Sequence, residues 1–353
     1  MHGKNSLLTD RKNEHLDIVL GDRGRSAKSN PGFDAITFEH NALPEIDMED
    51  IKISTVFLKK HINAPLLVSS MTGGPVRATE INRNLAIACQ ELNLALAVGS
   101  QRIAIESGTM AGLGTELRRF APTIPLLANF GAAQLNLGFG VEQARRAIDM
   151  IEADALIIHL NPLQEALQTE GNRNWKGLLN GIEALARDLN APLVVKEVGC
   201  GISGRLARRL IDVGVSVIDV AGAGGTSWAG VEAERAITSQ QAATARAFID
   251  WGQTTAHAIS DVRAHCPDAV IVGSGGIRDG LHAAKAIRLG ADIVGQAAGV
   301  LHAATHSPDA VIEHFNIMIA QLRVACFCTG SSTLAELRHA PLQANTSVVM
   351  GSL

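Results

Sequence analysis

The sequence predicts an α/β protein, a (β/α)8 TIM barrel with an N-terminal extension, and three observations predict it. Eight short runs are apolar on successive positions, as strands read when both faces of a parallel sheet are covered. Stretches of helical periodicity separate them, so the order strand–helix repeats along the chain. The chain has 353 residues, enough for one large barrel or two modest domains. A doubly wound open sheet is the other architecture that the alternation allows.

The apolar runs fall at residues 65–68, 94–98, 125–128, 155–158, 193–195, 215–220, 269–272 and 293–294. Amphipathic helices are expected between them, for example over residues 78–92, 141–152 and 204–213. Residues 1–63 precede the first run and form the extension, and 64–353 form the barrel. Within the extension, residues 33–38 (FDAITF) are expected to be a strand of a cap. The interval from Gly222 to Ala269 is much longer than the others, and an insertion there belongs on the catalytic face, where lids sit.

Composition removes several classes of function. The net charge is −4, so nothing favours a nucleic-acid or membrane surface, and an anionic small ligand needs locally gathered positive charge. With no tyrosine and three tryptophans, stacking on bases is not a theme. No run approaches the roughly eighteen apolar residues of a membrane span, and the first residues lack the apolar stretch of a signal peptide. The five cysteines (Cys89, Cys200, Cys266, Cys326 and Cys328) are odd in number and scattered, which argues for a reducing cytoplasm over a disulfide framework. Cys326-x-Cys328 is too tight for a CxxC metal site.

In such a barrel chemistry gathers where the strands end. The ends read SSMTGG (69–74), GSQR (99–102), NFG (129–131), HLNPLQE (159–165), KEVG (196–199), AGAGGT (221–226), GSGGIR (273–278) and QAAG (296–299). Polar residues and glycines end many strands for turn geometry alone. A lysine closing an apolar strand, however, loses its water and needs a partner. The glycines at the last two ends permit close approach of backbone N–H groups to a phosphate, with a helix N-terminus behind and Arg278 as a further donor. A phosphate there, with Lys196 at the fifth end and amides or hydroxyls at the first three, suits flavin mononucleotide (FMN). Asn129 and Ser100 can bond the ring edge, and Lys196 can stabilise negative charge at N1–C2=O of the reduced ring.

RKNEHL (11–16), SSMTGG, GSQR, HLNPLQE, VKEVGCGIS (195–203), AGAGGTSWAGVE (221–232) and GSGGIRDG (273–280) occur in this order, with FIDWG at 248–252. Together they closely resemble type 2 isopentenyl-diphosphate isomerase, the flavin-dependent form, from Arg11 to about Gly299. The resemblance implies interconversion of isopentenyl and dimethylallyl diphosphate at reduced FMN, with NADPH as the common reductant, Mg2+, and a homotetramer or homo-octamer. It implies that Arg11 and Lys12 grip the substrate diphosphate with help from His15, and that Ser100, Gln101 and Arg102 form a second diphosphate element. Ser69, Ser70, Met71, Thr72, Ser100, Asn129, Lys196 and Thr226 match flavin contacts, and Gly276, Ile277, Arg278, Ala297 and Ala298 the flavin-phosphate cradle. Glu165 matches the magnesium ligand. Gln164, which cannot titrate, matches the amide that contacts substrate, with His159 and Asn161 in the same pocket. Glu232 is expected to orient Gln164 or the lid, and Trp228 to anchor a loop.

Three rivals remain open at this level. An FMN-dependent 2-hydroxy-acid oxidase or dehydrogenase barrel wants a histidine base after the sixth strand, where AGAGGT has none. A nucleotide dehydrogenase wants a cysteine nucleophile after the sixth strand, whereas Cys200 follows the fifth and reads as packing. A flavin-binding regulator would have no need of Gln164, Glu165, Arg11 and Lys12 together.

Overall fold

Strands β1 (Thr55–Phe57) and β2 (Lys60–Ile62) form an antiparallel hairpin. Its turn residues, Leu58 and Lys59, both take positive φ (49° and 64°), the geometry whose twist matches that of the flanking strands. Phe57 and Ile62 then pack against Leu67, Leu127, Ile157 and Val194 inside the barrel. Lys60 Nζ donates to the Ile124 carbonyl at 3.1 Å and Asn93 Nδ2 to that of His61 at 3.1 Å, both just ahead of barrel strands. The hairpin therefore plugs the end where the strands begin, which leaves the other end for function. The computed structural model of the chain describes residues 14–21, 30–71, 76–108 and 112–343.

The barrel is closed and parallel. Its eight strands follow in chain order: β3 (Leu66–Val68), β4 (Ala95–Ala97), β5 (Leu126–Gly131), β6 (Ala155–Leu160), β7 (Leu193–Glu197), β8 (Val217–Asp219), β9 (Val270–Ser274) and β10 (Ile293–Gln296), which pairs with β3. This is the predicted architecture and not an open sheet. Side chains alternate across each strand. Leu66, Val68, Leu126, Ile158, Val195 and Ile218 face the surrounding helices, in a cluster that also holds Leu85, Ala147, Leu185 and Ile287. Leu67, Leu127, Ile157, Val194, Val217, Val272 and Ile293 face inward. One further step along that inward stripe the residues become Ser69, Asn129, His159, Lys196, Asp219, Ser274 and Gly295. His159, Lys196 and Asp219 are register partners on adjacent strands and stand at one level.

The predicted helices appear at Val76–Leu92, Val141–Ile151 and Gly204–Asp212. Residues 33–38 are not a strand. Phe33–Ala35 is a turn of 3-10 helix, set by Gly32 at φ 87°, and Phe38 makes a single antiparallel bridge to Leu342. Phe33 instead buries its ring at the barrel wall and tilts against His282, 5.1 Å between centroids. The long interval after β8 holds helices Trp228–Glu234 and Ser239–Arg246, followed by Thr255–His265, the regular helix of the unit.

One described helix, Pro308–Cys328, is long and apolar enough to cross a membrane by length and composition alone, although Glu313, Asn316, Gln321 and Arg323 keep every apolar run within it short, as the sequence reading had it. Here it buries Val311, Phe315, Met318, Leu322, Ala325 and Cys326 in the main hydrophobic cluster. An apolar stripe of that kind is what a helix of the barrel's outer ring needs.

Candidate active site

A cavity of about 810 Å³ opens where the strands end. Ser69, Ser70, Met71, Ser100, Arg102, Asn129, His159, Asn161, Gln164, Glu165, Lys196, Thr226, Gly276, Ile277, Arg278, Ala297 and Ala298 all line it, so residues far apart in sequence are brought together there. Residues 14–20 are helical and reach its mouth, where His15, Leu16 and Val19 join the lining. Arg11, Lys12 and Thr72 lie outside the described residues.

One wall is built of backbone. Gly275 and Gly276 take φ of 108° and 67°, and a Cβ on either would run into the turn after β8, at Gly222 and Gly224. Thr255 Oγ1 ties the two turns by donating to the Gly275 carbonyl at 2.6 Å. Glycine is needed here both for positive φ and for close approach. Gln296 Nε2 holds the Ile277 carbonyl at 3.1 Å, while Gln296 Oε1 accepts from His314 Nε2 at 2.6 Å. Burial holds His314 below its usual range, which favours the neutral ring in this role. Beside this wall, at the end of the strand next to Gln296, the hydroxyls of Ser69 and Ser70 are buried without a partner among the described residues. Orphaned hydroxyls beside a glycine cradle are the arrangement a polar, phosphate-bearing cofactor completes.

A second wall is acidic and amide-rich. Asn161 immediately precedes the short helix Pro162–Leu167, which turns Gln164 and Glu165 into the cavity. Asn161 Nδ2 donates to Gln164 Oε1 at 3.0 Å and to Glu165 Oε1 at 3.1 Å, leaving its own Oδ1 buried and without a partner among the described residues. The Asn172 backbone N–H donates to Glu165 Oε2 at 2.5 Å, and Trp175 Nε1 in turn holds the Asn172 carbonyl at 2.8 Å. Among the described residues no cluster of three or more His, Cys, Asp or Glu stands ready for a metal. What the site offers is one fixed carboxylate with an amide oxygen beside it, suited to a hard cation that keeps waters and shares a substrate's phosphates.

Behind this wall sits Glu232, with side chain 4% exposed. His15 Nε2 lies 3.2 Å from its Oε1, Gln164 Nε2 donates to the same oxygen at 3.3 Å, and Arg235 bonds Oε2 at 2.8 Å. Burial alone would raise this carboxyl, but His15, Arg235 and Gln164 outweigh it and hold it below the usual range. Arg235 also bonds Glu14 at 2.9 Å, and the His15 ring meets the Trp228 ring edge-on at 5.1 Å. The insertion after β8 thus clamps the N-terminal helix over the cavity. Glu232 does not line the cavity, so its place is behind Gln164 and not among groups that touch substrate. Trp228 is more than a loop anchor, since it lines the cavity itself.

Gln101 is fully buried, accepts from the Asn129 backbone N–H at 2.9 Å and donates to the Ala147 carbonyl at 2.8 Å. Its amide bridges strand end to helix and is absent from the cavity lining. Cys200 is unsuited to attack: burial first, then the Glu197 charge, push its thiol up to about 12.

Sequence reading missed Asp219, Ser274, Gln296 and His314. Lys196 Nζ donates to the Glu197 carbonyl at 2.7 Å and lies 3.8 Å from Asp219 Oδ2; Asp219 is 1% exposed and is the partner that the buried lysine required. The available signal was an acid inside the run VIDV, at the level where the inward stripe turns polar.

Residues 144–344 match the family described as FMN-dependent dehydrogenase. The chain is 59% identical over 335 residues to an isopentenyl-diphosphate delta-isomerase of Stutzerimonas stutzeri, covering 95% of this chain and 97% of that protein. It is 57% identical over 340 residues to one of Pseudescherichia vulneris, covering 96% and 98%. Among solved structures, the flavin-binding domain of baker's yeast flavocytochrome b2 superposes with TM-score 0.64 at 17% identity, covering 92% of this chain and 80% of that one. A mandelate oxidase variant with 2-hydroxy-phenylacetamide superposes with TM-score 0.63 at 16% identity, covering 95% and 98%. At that identity the last two share the fold alone.

Proposed function

Because the chain belongs to the FMN-dependent dehydrogenase family and to the isopentenyl-diphosphate delta-isomerases, we propose that its cavity interconverts isopentenyl and dimethylallyl diphosphate at reduced FMN. The observation that carries the reading is the pairing of a glycine cradle with orphaned serine hydroxyls on one side and Glu165, Asn161 and Gln164 on the other. One side suits a phosphate-bearing flavin, the other a metal-bound diphosphate.

Gly276, Ile277, Arg278, Ala297 and Ala298 would hold the flavin phosphate. Ser69, Ser70, Met71, Thr72, Ser100, Asn129, Lys196 and Thr226 would hold the ring. Reduced FMN, when bound, supplies an electron-rich ring whose N5 can give and take a proton, and NADPH is the reductant we assign. Glu165 would hold Mg2+ with the substrate's phosphate oxygens, the ion neutralising diphosphate charge.

The reaction moves a double bond by one carbon: a proton is added at the terminal CH2 and another is lost from C2. Arg102 and His15, with Arg11 and Lys12, would grip the diphosphate, and binding energy spent there positions the alkene remotely. Asn161 and Gln164, locked to each other and to Glu232, orient what lies against them, and Gln164 carries no titratable proton. Leu16 and Val19, brought over the mouth by the Glu14–Arg235 and His15–Glu232 pairs, exclude water from developing positive charge. Lys196 would hold the flavin's N1–C2=O edge, and His159, held by Asn129 at 2.8 Å, would border the alkene.

In this reading residues 1–63 are the extension that delivers substrate groups to a barrel of 64–353, and the assembly is a cytoplasmic homotetramer or homo-octamer. The test is anaerobic incubation of the FMN-loaded, dithionite-reduced protein with isopentenyl diphosphate in heavy water. Mg2+-dependent dimethylallyl diphosphate carrying deuterium is expected. Oxidation of lactate or mandelate in its place, or no product, overturns the assignment.

A further inference from the structure

Lys196 and Asp219 stand side by side on β7 and β8 at the level where the barrel interior turns polar. Only the lysine reaches the cavity. Asp219 stands at the same level but outside the cavity lining, 1% exposed, with Oδ2 at 3.8 Å from Lys196 Nζ and Oδ1 accepting from Ser274 Oγ at 2.5 Å. The backbone N–H of Ala221 bonds the same carboxylate, and Ala221 takes φ 37°, in the left-handed region. Three separate strand ends therefore converge on one carboxylate that touches nothing in the cavity. A group so costly to bury, and so fully supplied with donors, calls for a role beyond filling space.

We propose that Asp219, held by Ser274, is a positioning residue that acts through Lys196: its buried negative charge fixes and offsets the ammonium facing the flavin. The inference rests on the flavin reading above. A lone buried ammonium at the N1–C2=O edge would stabilise the anionic reduced ring, formed from two electrons and one proton, more than an ion pair would. Isomerisation has no net redox change and asks the reduced ring to accept and return a proton. Over-stabilising its negative charge lowers that basicity. The Asp219 carboxylate keeps the net charge beneath the ring near zero while Lys196 still supplies a directed hydrogen bond.

The test is the flavin midpoint potential of the FMN-loaded protein, measured against a reference dye for wild type, Asp219→Asn, Asp219→Glu and Lys196→Met. Removing the counter-charge should favour the reduced flavin about tenfold, a rise of ~30 mV for a two-electron couple. Lys196→Met should move it the opposite way, and Asp219→Glu should stay near wild type. A merely structural carboxylate would change melting temperature and flavin retention but not this ordering. Asp219→Asn binding FMN stoichiometrically with a potential within about twofold of wild type, or shifted toward the oxidised form, overturns the role. If Asp219→Asn does not fold, Ser274→Ala decides. Loss of that donor disfavours the ionised form of a carboxyl that burial already raises, so its average negative charge falls and the couple should shift in the same direction by about threefold; no shift overturns the proposal. A wild-type chain that takes up no FMN overturns the flavin reading instead, so the two failures are distinguishable.

Discussion

The inner wall of the barrel is made of two unlike layers separated by a single side-chain step. Leu67, Leu127, Ile157, Val194, Val217, Val272 and Ile293 form the lower one, closed beneath by Phe57 and Ile62 of the hairpin. Ser69, Asn129, His159, Lys196, Asp219, Ser274 and Gly295 form the upper one. The strands are continuous through both, so backbone bonding cannot explain the change. What differs is the demand made on the side chains. The lower layer needs only volume and freedom from unpaired polar atoms. The upper layer carries a buried ion pair, an Asn129–His159 contact and the orphaned Ser69 hydroxyl, a set that costs stability unless a ligand completes it. Function here is a layer set on a stable floor.

Substitutions in the two layers should then fail in opposite ways. Glu165→Gln, on the short helix above the upper layer, is expected to give the largest effect. Turnover should fall about 10²–10³-fold with loss of the Mg2+ response, because the amide keeps the Asn172 contact but not the charge. FMN stoichiometry and melting temperature should be unchanged. Near-normal turnover with normal metal dependence would remove Glu165 from the metal site.

Ile157→Ala tests the floor. It deletes buried volume, and a loss of about 2–5 kcal/mol in urea unfolding is expected. The folded fraction should keep the wild-type KM. A changed KM with unchanged stability would mean that the layers are not separable in this way.

How much of this could be read from the sequence follows the same division. The floor was legible because apolar runs at strand spacing state their own burial, and all eight fell on barrel strands. The rim was legible where a residue broke the pattern at a run's end, as Lys196 and His159 do. It was not legible where the break lay inside a run, as with Asp219, or where the partner came from elsewhere in the chain. His314 reaches Gln296 from the last long helix, and Glu14 meets Arg235 across 221 positions. The place of Gln101 was not legible either, because it sits beside Arg102 and yet its amide turns to backbone atoms. Residues 33–38 misled because their β-forming composition says nothing of Gly32, whose positive φ starts a turn.

The rim also has an outward face, at Glu197. Its Oε2 accepts the backbone N–H groups of Val198 and Gly199, both at 2.6 Å, and that of Cys200. Burial outweighs these donors and the neighbouring Lys196, and raises the carboxyl from 4.5 to about 7. The folded state therefore binds this proton more tightly than the unfolded chain does. Stability from Glu197 is complete below about 4.5 and is lost as pH rises through about 7, by up to about 3 kcal/mol over that window. Glu197→Gln, which stays neutral, should flatten the pH dependence of urea unfolding between those values. A slope identical to wild type would show that Glu197 is ionised throughout.

The smallest expected effect separates the two layers most directly, because it changes sign with the ligand. Ser69 Oγ, on the inward stripe next after Leu67, is buried with no partner among the described residues. Ser69→Ala removes an unsatisfied hydroxyl without opening a cavity. It should therefore stabilise the flavin-free protein, by about 1 kcal/mol. If FMN supplies the missing partner, the same change should weaken flavin binding several-fold, so that the two effects oppose each other in the loaded protein. Melting curves with and without FMN measure both. Destabilisation of the flavin-free form would mean that the hydroxyl is already satisfied, and the upper layer would then be as self-sufficient as the floor beneath it.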